Sequence, residues 1–136
     1  MATRSAVARR REGFETEVEI REHRLIIDEP VDAGGTDSGP QPTELLAASL
    51  ASCTTITLVM YADRKGWDVG AVETAVDYES GTADSPPKFR TEITVPAELS
   101  DEQREKLLVV AGKCPVHRTL VAQNVEVEDD LKATGG

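Results

Sequence analysis

Between Leu45 and Ala62 the chain reads LLAASLASCTTITLVMYA, 18 residues without a charge. This run constrains the fold more than any other stretch, because its length stands near the lower limit for a membrane span, about 17 residues. Five of the 18 are Ser or Thr, and charges flank both ends, which fits a capped helix buried in protein better than a span. Thr43 is expected to cap this helix, which runs to about Lys65, with Gly66 as its C-terminal stop. A domain has to be assembled around this central helix, and 136 residues suffice for one with a real core.

What precedes the helix cannot be regular. The segment DEPVDAGGTDSGPQP, Asp28 to Pro42, holds three Pro and three Gly, so it reads as a loop of about 15 residues. Loops of that length are functional, mobile or crossings to a partner subunit more often than plain connections. Elsewhere the period changes to two. Phe14 to Ile20 (FETEVEI) and Val72 to Tyr78 (VETAVDY) alternate apolar and polar residues, and Arg90 to Val95 does so less cleanly, each predicting a half-buried strand. Arg24 to Asp28 follows the first of these closely, which predicts a hairpin turning near Arg21 to His23 and a mostly antiparallel sheet. Ser100-Asp-Glu-Gln103 is a capping-box pattern opening a second helix that ends near Gly112. Pro115 then starts a short helix through about Val121, and NVEVED from Asn124 predicts a closing strand. The class is α+β.

The N-terminal MATRSAVARRREG has four arginines with no apolar run behind them, so residues 1–13 are expected to form a flexible arm rather than a secretory signal, followed by a single domain over residues 14–136. A cytoplasmic location follows as the expectation. The net charge of −10 and a pI near 4.6 argue against nucleic acid and anionic membranes as partners, since both repel such a chain on approach.

Two cysteines in a reducing compartment are normally free thiols, so each position needs its own explanation. Cys114 stands where a short helix begins, a place where backbone N–H groups and the helix dipole favour the thiolate, and Lys113, His117 and Arg118 add positive charge nearby. Cys53 lies inside the long helix between Ser52 and Thr54, where a small core side chain is the commoner reading. His23 and His117 have no spacing with the cysteines that marks a metal site, and no metal or cofactor is expected. Glu44 is accounted for by the dipole at the helix start. Its nine-residue separation from Cys53 is two and a half turns, which excludes direct contact within one helix.

The loop leading into PTELLAASLASCT, the segment MYADRKGW and, some 60 residues after Cys53, KCPVHRTL together resemble the OsmC/Ohr family of thiol-dependent hydroperoxide reductases, and its OsmC-like branch in particular. The resemblance runs from about residue 14 to residue 127. It implies an intertwined homodimer in which antiparallel sheets from both chains wrap long central helices. It also implies that Cys53 attacks a small organic hydroperoxide, that the resulting sulfenic acid is resolved by Cys114 as a disulfide, and that an external dithiol restores both thiols in oxidative-stress defence. The family's carboxylate and activating arginine are matched only approximately. Glu44 lies one place later than the family's glutamate, and among Arg10, Arg11, Arg21 and Arg24 the choice is Arg24, at the start of a strand. A dimeric redox sensor or small-ligand-binding protein without peroxidase turnover is the alternative.

Overall fold

The computed structural model describes residues 2–135. In chain order these form β1 (Val7–Glu12), β2 (Glu15–Ile20), β3 (His23–Ile27), a 3-10 turn (Val31–Ala33), α1 (Pro42–Lys65), β4 (Glu73–Glu79), β5 (Lys88–Thr94), α2 (Asp101–Ala111) and α3 (Pro115–Val121). The sheets are antiparallel, in the orders β1-β2-β3 and β4-β5, so the fold is α+β. The chain divides into two compact units. Among the described residues, the first comprises residues 2–52 together with Glu73–Thr94, and the second Cys53–Val72 together with residues 95–135.

In the first unit, β1 occupies part of what was expected to be a flexible arm. Its sequence, VARRRE, is exposed throughout and lacks the apolar alternation that marks a strand. What holds it is β2, which is rich in acid: the two pair in register from Val7↔Glu19 to Arg10↔Thr16, with Arg9 3.2 Å from Glu19 and Arg11 3.4 Å from Glu15. Exposed ion pairs of this kind contribute roughly 0.2–1 kcal/mol each, so the ladder hydrogen bonds carry the strand and the charges choose its partner. The β2–β3 hairpin turns where the sequence predicts, with Arg21 in the left-handed region at φ 54°. In β4 the residues Thr74, Val76 and Tyr78 are half-buried and the intervening ones exposed; Tyr78 opposes Phe89 of β5 with ring centroids 4.8 Å apart.

The loop after β3 is tied down rather than mobile. Asp28 is 2% exposed and its carboxylate gathers the segment around itself: Oδ1 accepts from the Glu29 N–H (2.8 Å), and Oδ2 from the N–H and hydroxyl of Thr36 (3.1 and 2.7 Å) and of Ser38 (3.2 and 2.9 Å). Asp28 also donates its own N–H to Pro40 O at 3.1 Å. The wrap is close enough that a Cβ at Gly35 or Gly39 would overlap the carbonyl oxygens of Glu29 and Ile26. Helix α1 starts two residues earlier than a Thr43 cap implies. Pro42 takes the first helical position, where its missing N–H costs nothing, and the Glu44 carboxylate accepts the Gln41 N–H at 2.9 Å.

In the second unit, α1 ends as Gly66 and Trp67 donate to Asp63 O and Ala62 O at 3.1 and 2.9 Å, the paired closure that satisfies the last carbonyls of a helix. The α2 capping box is complete: the Ser100 hydroxyl accepts the Gln103 N–H at 3.1 Å and the Gln103 side chain accepts the Ser100 N–H at 3.0 Å. Leu58, Ala62, Val69, Leu107, Val110 and Cys114 form the buried core of this unit. The predicted closing strand is absent among the described residues. From Asn124 the chain is irregular, with Val125, Val127 and Leu131 exposed at 58, 79 and 91%. The side-chain alternation is present, but a strand exists only against an edge, and none of the described strands pairs with it.

One feature departs from the expectation of a helix buried in protein. α1 is long and apolar enough to cross a membrane by length and composition, and only 22% of its most apolar window is buried within one chain. Ile56 and Met60, one turn apart, are 57 and 62% exposed.

Candidate functional site

The two cysteines, expected as free thiols from compartment alone, are joined. Cys53 and Cys114 form a disulfide across 61 residues of sequence, with their Cα atoms 5.9 Å apart, inside the normal range for the bond. Each sulfur is delivered by a different local device. Cys53 rides on α1 and is half-buried. Cys114 follows the end of α2, where the N–H groups of Gly112 and Lys113 return to Val109 O and Val110 O, and Pro115 holds the preceding residue out of the helical region, at φ −56° and ψ 131°. That conformation makes Cys114 the N-cap of α3: its sulfur accepts the His117 N–H at 3.5 Å while its carbonyl accepts the Arg118 N–H at 3.0 Å. Cys114 is fully buried, at 0% exposure. A reducible bond between one reachable sulfur and one enclosed sulfur can store and return two electrons.

The remaining sequence-predicted residues each have partners of their own. Glu44 is exposed in the first turn of α1 and bonds the Gln41 N–H, the helix-start role that the dipole argument gives it. Arg24 lies on β3 in the first unit, with Nε 3.2 Å from Glu17 and Nη1 against Glu19; Glu19 is held below the usual carboxylate range by its hydrogen bond from Arg9 first and by Arg24 second. The Arg24 charge is thereby matched on the sheet surface. His23 is exposed beside Glu22, and His117 reaches the cysteine through its backbone rather than its ring.

Within the first unit lies a cleft of about 970 Å³ walled by Phe14, Val18, Ile27 and Leu45, with Arg10 and Asp28 among its lining. Arg10 is held in place by a 2.8 Å bond from Nε to Gly13 O. Sequence reasoning weighed Arg10 as one of four arginines and passed over Asp28, which organises the loop at the edge of this cleft. Its hydrogen bonds, that from the Thr36 hydroxyl foremost, hold the Asp28 carboxyl far below the usual range. The available signal was an Asp at the start of a Gly-rich loop followed by Thr and Ser eight and ten residues on, a pattern indistinguishable by composition from ordinary turn residues.

A long helix carrying one cysteine of a pair whose other member caps a short helix, in a chain that also forms antiparallel sheets, defines a class of small thiol proteins, and sequence and structure comparisons give that class its family. The profile described as OsmC-like protein matches residues 35–129, and this chain belongs to that family. No curated protein matches it. Among solved structures, a proposed osmotic stress induced and detoxification response protein of Psychrobacter arcticus 273-4 shares 26% identity with a TM-score of 0.75, covering 88% of this chain and 89% of that one. The Legionella pneumophila organic hydroperoxide resistance protein OsmC shares 20% at a TM-score of 0.66, covering 89% and 90%. Bacillus subtilis OhrB, also an organic hydroperoxide resistance protein, shares 22% at 0.61, covering 90% and 93%. The last two likenesses concern the fold alone.

Proposed function

We propose that this chain is a cytoplasmic thiol-dependent peroxidase that reduces organic hydroperoxides in oxidative-stress defence, acting as a homodimer. The observation that carries the reading is the Cys53–Cys114 disulfide in a chain of the OsmC-like family. The Cys53 thiolate attacks the peroxide O–O bond; the sulfur takes one oxygen as a sulfenic acid, and the other leaves as alkoxide and is protonated to the alcohol. The Cys114 thiol then condenses with the sulfenic acid, forming the disulfide and releasing water. An external dithiol returns both sulfurs to thiols. The division of roles is supported by exposure, since a peroxide can approach the half-buried Cys53 but not a sulfur at 0%. Dimerisation is supported by the apolar face of α1 that one chain leaves uncovered at Ile56 and Met60, because a patch of that kind on a folded protein marks an interaction surface.

The same reading assigns Glu44 and Arg24 to the site as carboxylate and cation. Each has a competing partner, Gln41 for one and Glu17 and Glu19 for the other. An Arg24→Ala protein that consumes peroxide at the parent rate removes that residue from the mechanism.

The deciding experiment is anaerobic thiol counting after one equivalent of cumene hydroperoxide, with intact-mass analysis. Loss of both thiols with a mass decrease of about 2 Da is expected for the parent chain, a trapped sulfenic acid for Cys114→Ser, and no consumption for Cys53→Ser. Two thiols left intact in the parent chain overturn the peroxidase reading. The second reading, a dimeric redox-sensing or ligand-binding protein, is favoured by the neutralised Arg24, and it is supported if a disulfide-forming oxidant other than peroxide oxidises the pair while cumene hydroperoxide does not.

A further inference from the structure

We propose that the disulfide is reduced from one side only: the incoming thiolate attacks the sulfur of Cys53 and expels Cys114, so that the mixed-disulfide intermediate is always carried on α1. The relevance of this step rests on the proposed thiol cycle, but its chemistry is independent of any peroxide.

Thiol–disulfide exchange requires the attacking thiolate to approach one sulfur along the S–S axis, opposite the leaving sulfur, and it is fastest when the sulfur attacked is accessible and the one expelled is stabilised as thiolate. The two ends of this bond differ on both counts. Cys114 has no exposed surface and shares the core of its unit with Leu58, Ala62, Leu107 and Val110, so a thiol reaches it only after that core opens. Cys53 is half-buried, and its helical neighbour Ser52 is exposed. As a leaving group Cys114 has a partner waiting, the His117 N–H at 3.5 Å from its sulfur, which favours the charged form. Burial opposes that charge, so the hydrogen bond eases the departure without making it free. Access decides the outcome, because every ~1.4 kcal/mol of opening cost lowers the reactive population tenfold.

A reductant thiolate forms an S–S bond to Cys53; the electron pair of the old bond leaves on Cys114, which takes a proton from water. The second thiol of the dithiol attacks the reductant sulfur of the mixed disulfide, closes the reductant's own disulfide and releases Cys53 as thiolate. The protein gains two electrons and the dithiol loses two.

The test uses the oxidised full-length protein. It is exposed briefly to 2-mercaptoethanol, a monothiol that stops at the mixed disulfide, quenched with iodoacetamide and mapped by peptide mass. At least tenfold more mercaptoethanol adduct on Cys53 than on Cys114 is expected, with alkylation of Cys114 in the same molecules. Adduct on Cys114, or an equal division, overturns the proposal. In 8 M urea the preference should collapse; a bias of unchanged size there shows that burial is not its cause and equally overturns the argument. A second measurement guards against exchange after attack: the Cys53 thiol in Cys114→Ser should react with Ellman's reagent at least tenfold faster than the Cys114 thiol in Cys53→Ser. Equal rates count against it. Inertness to peroxide would remove the proposed function and leave this result standing, whereas adduct on Cys114 would do the reverse.

Discussion

Two of the stretches outside the long helices and strands differ in almost every respect. Residues 28–41 form the loop before α1, and residues 122–135 form the tail. The loop has the composition of a mobile segment and yet converges on one carboxylate through five hydrogen bonds. The tail has the alternation of a strand and yet carries three large apolar side chains at 58% exposure or more. Order in a segment is thus set by where its backbone donors and acceptors end up, and neither Gly and Pro content nor apolar periodicity reports that by itself.

The contrast can be broken most directly at Asp28. Its replacement by Ala removes the acceptor of all five bonds and leaves the Thr36 and Ser38 donors without it; a Tm lower by roughly 10 °C is expected, with loss of amide protection across residues 28–41 in hydrogen exchange. An unchanged Tm would mean that the loop is held by something other than this carboxylate. Gly39→Ala probes the same wrap from its backbone side. The added methyl meets the Ile26 carbonyl oxygen, which cannot rotate away, and a loss of about 2 kcal/mol in urea unfolding is expected.

Acid gives a subtler handle. Because the folded Asp28 carboxyl titrates below its unfolded value, its contribution is fully present above the unfolded pKa of about 3.9 and is lost as pH falls through the lowered folded value. The stability gap between the parent chain and Asp28→Asn should therefore be constant from pH 5 to 8 and shrink below about pH 4. A gap that widens on acidification would reverse the sign of the argument. The smallest effect belongs to the tail. Val127→Ser should change stability by less than about 0.5 kcal/mol in dilute samples, as surface substitutions do; a larger loss confined to concentrated samples would show that a second chain covers the segment.

The features legible in the sequence were those whose causes are local. Ser100 and Gln103 satisfy each other across one helical turn, and Gly66 closes α1 within two residues, so short patterns sufficed. Cys114 followed by Pro115 announced the start of α3 for the same reason. The cap of α1 was misplaced although Pro42 was in plain view: a proline at the first helical position is a stronger marker than a threonine one residue on. β1 was missed because nothing within VARRRE speaks for a strand; the reason is the acidic partner beyond the turn. The tail strand failed in the opposite way, since its pattern describes a strand and its partner is absent from the described chain. Of the proposed site, the pairing of the cysteines came from resemblance to a family. The difference in burial between the sulfurs depends on how α2 and α3 pack, which no short window of sequence contains.

Position 114 also invites a comparison with the residues that ordinarily begin helices. Ser, Asp, Asn and Thr are the favoured caps because a hard oxygen acceptor sits well against the N–H two or three residues on, and a sulfur 3.5 Å from the His117 nitrogen is a softer and weaker acceptor. A chain under pressure only to start a helix here would be served better by serine, so helix initiation does not account for the identity of the residue. The corner built around it is a standard part fitted with an unusual component, and Cys114→Ser is for that reason a substitution that should preserve the architecture while removing the disulfide.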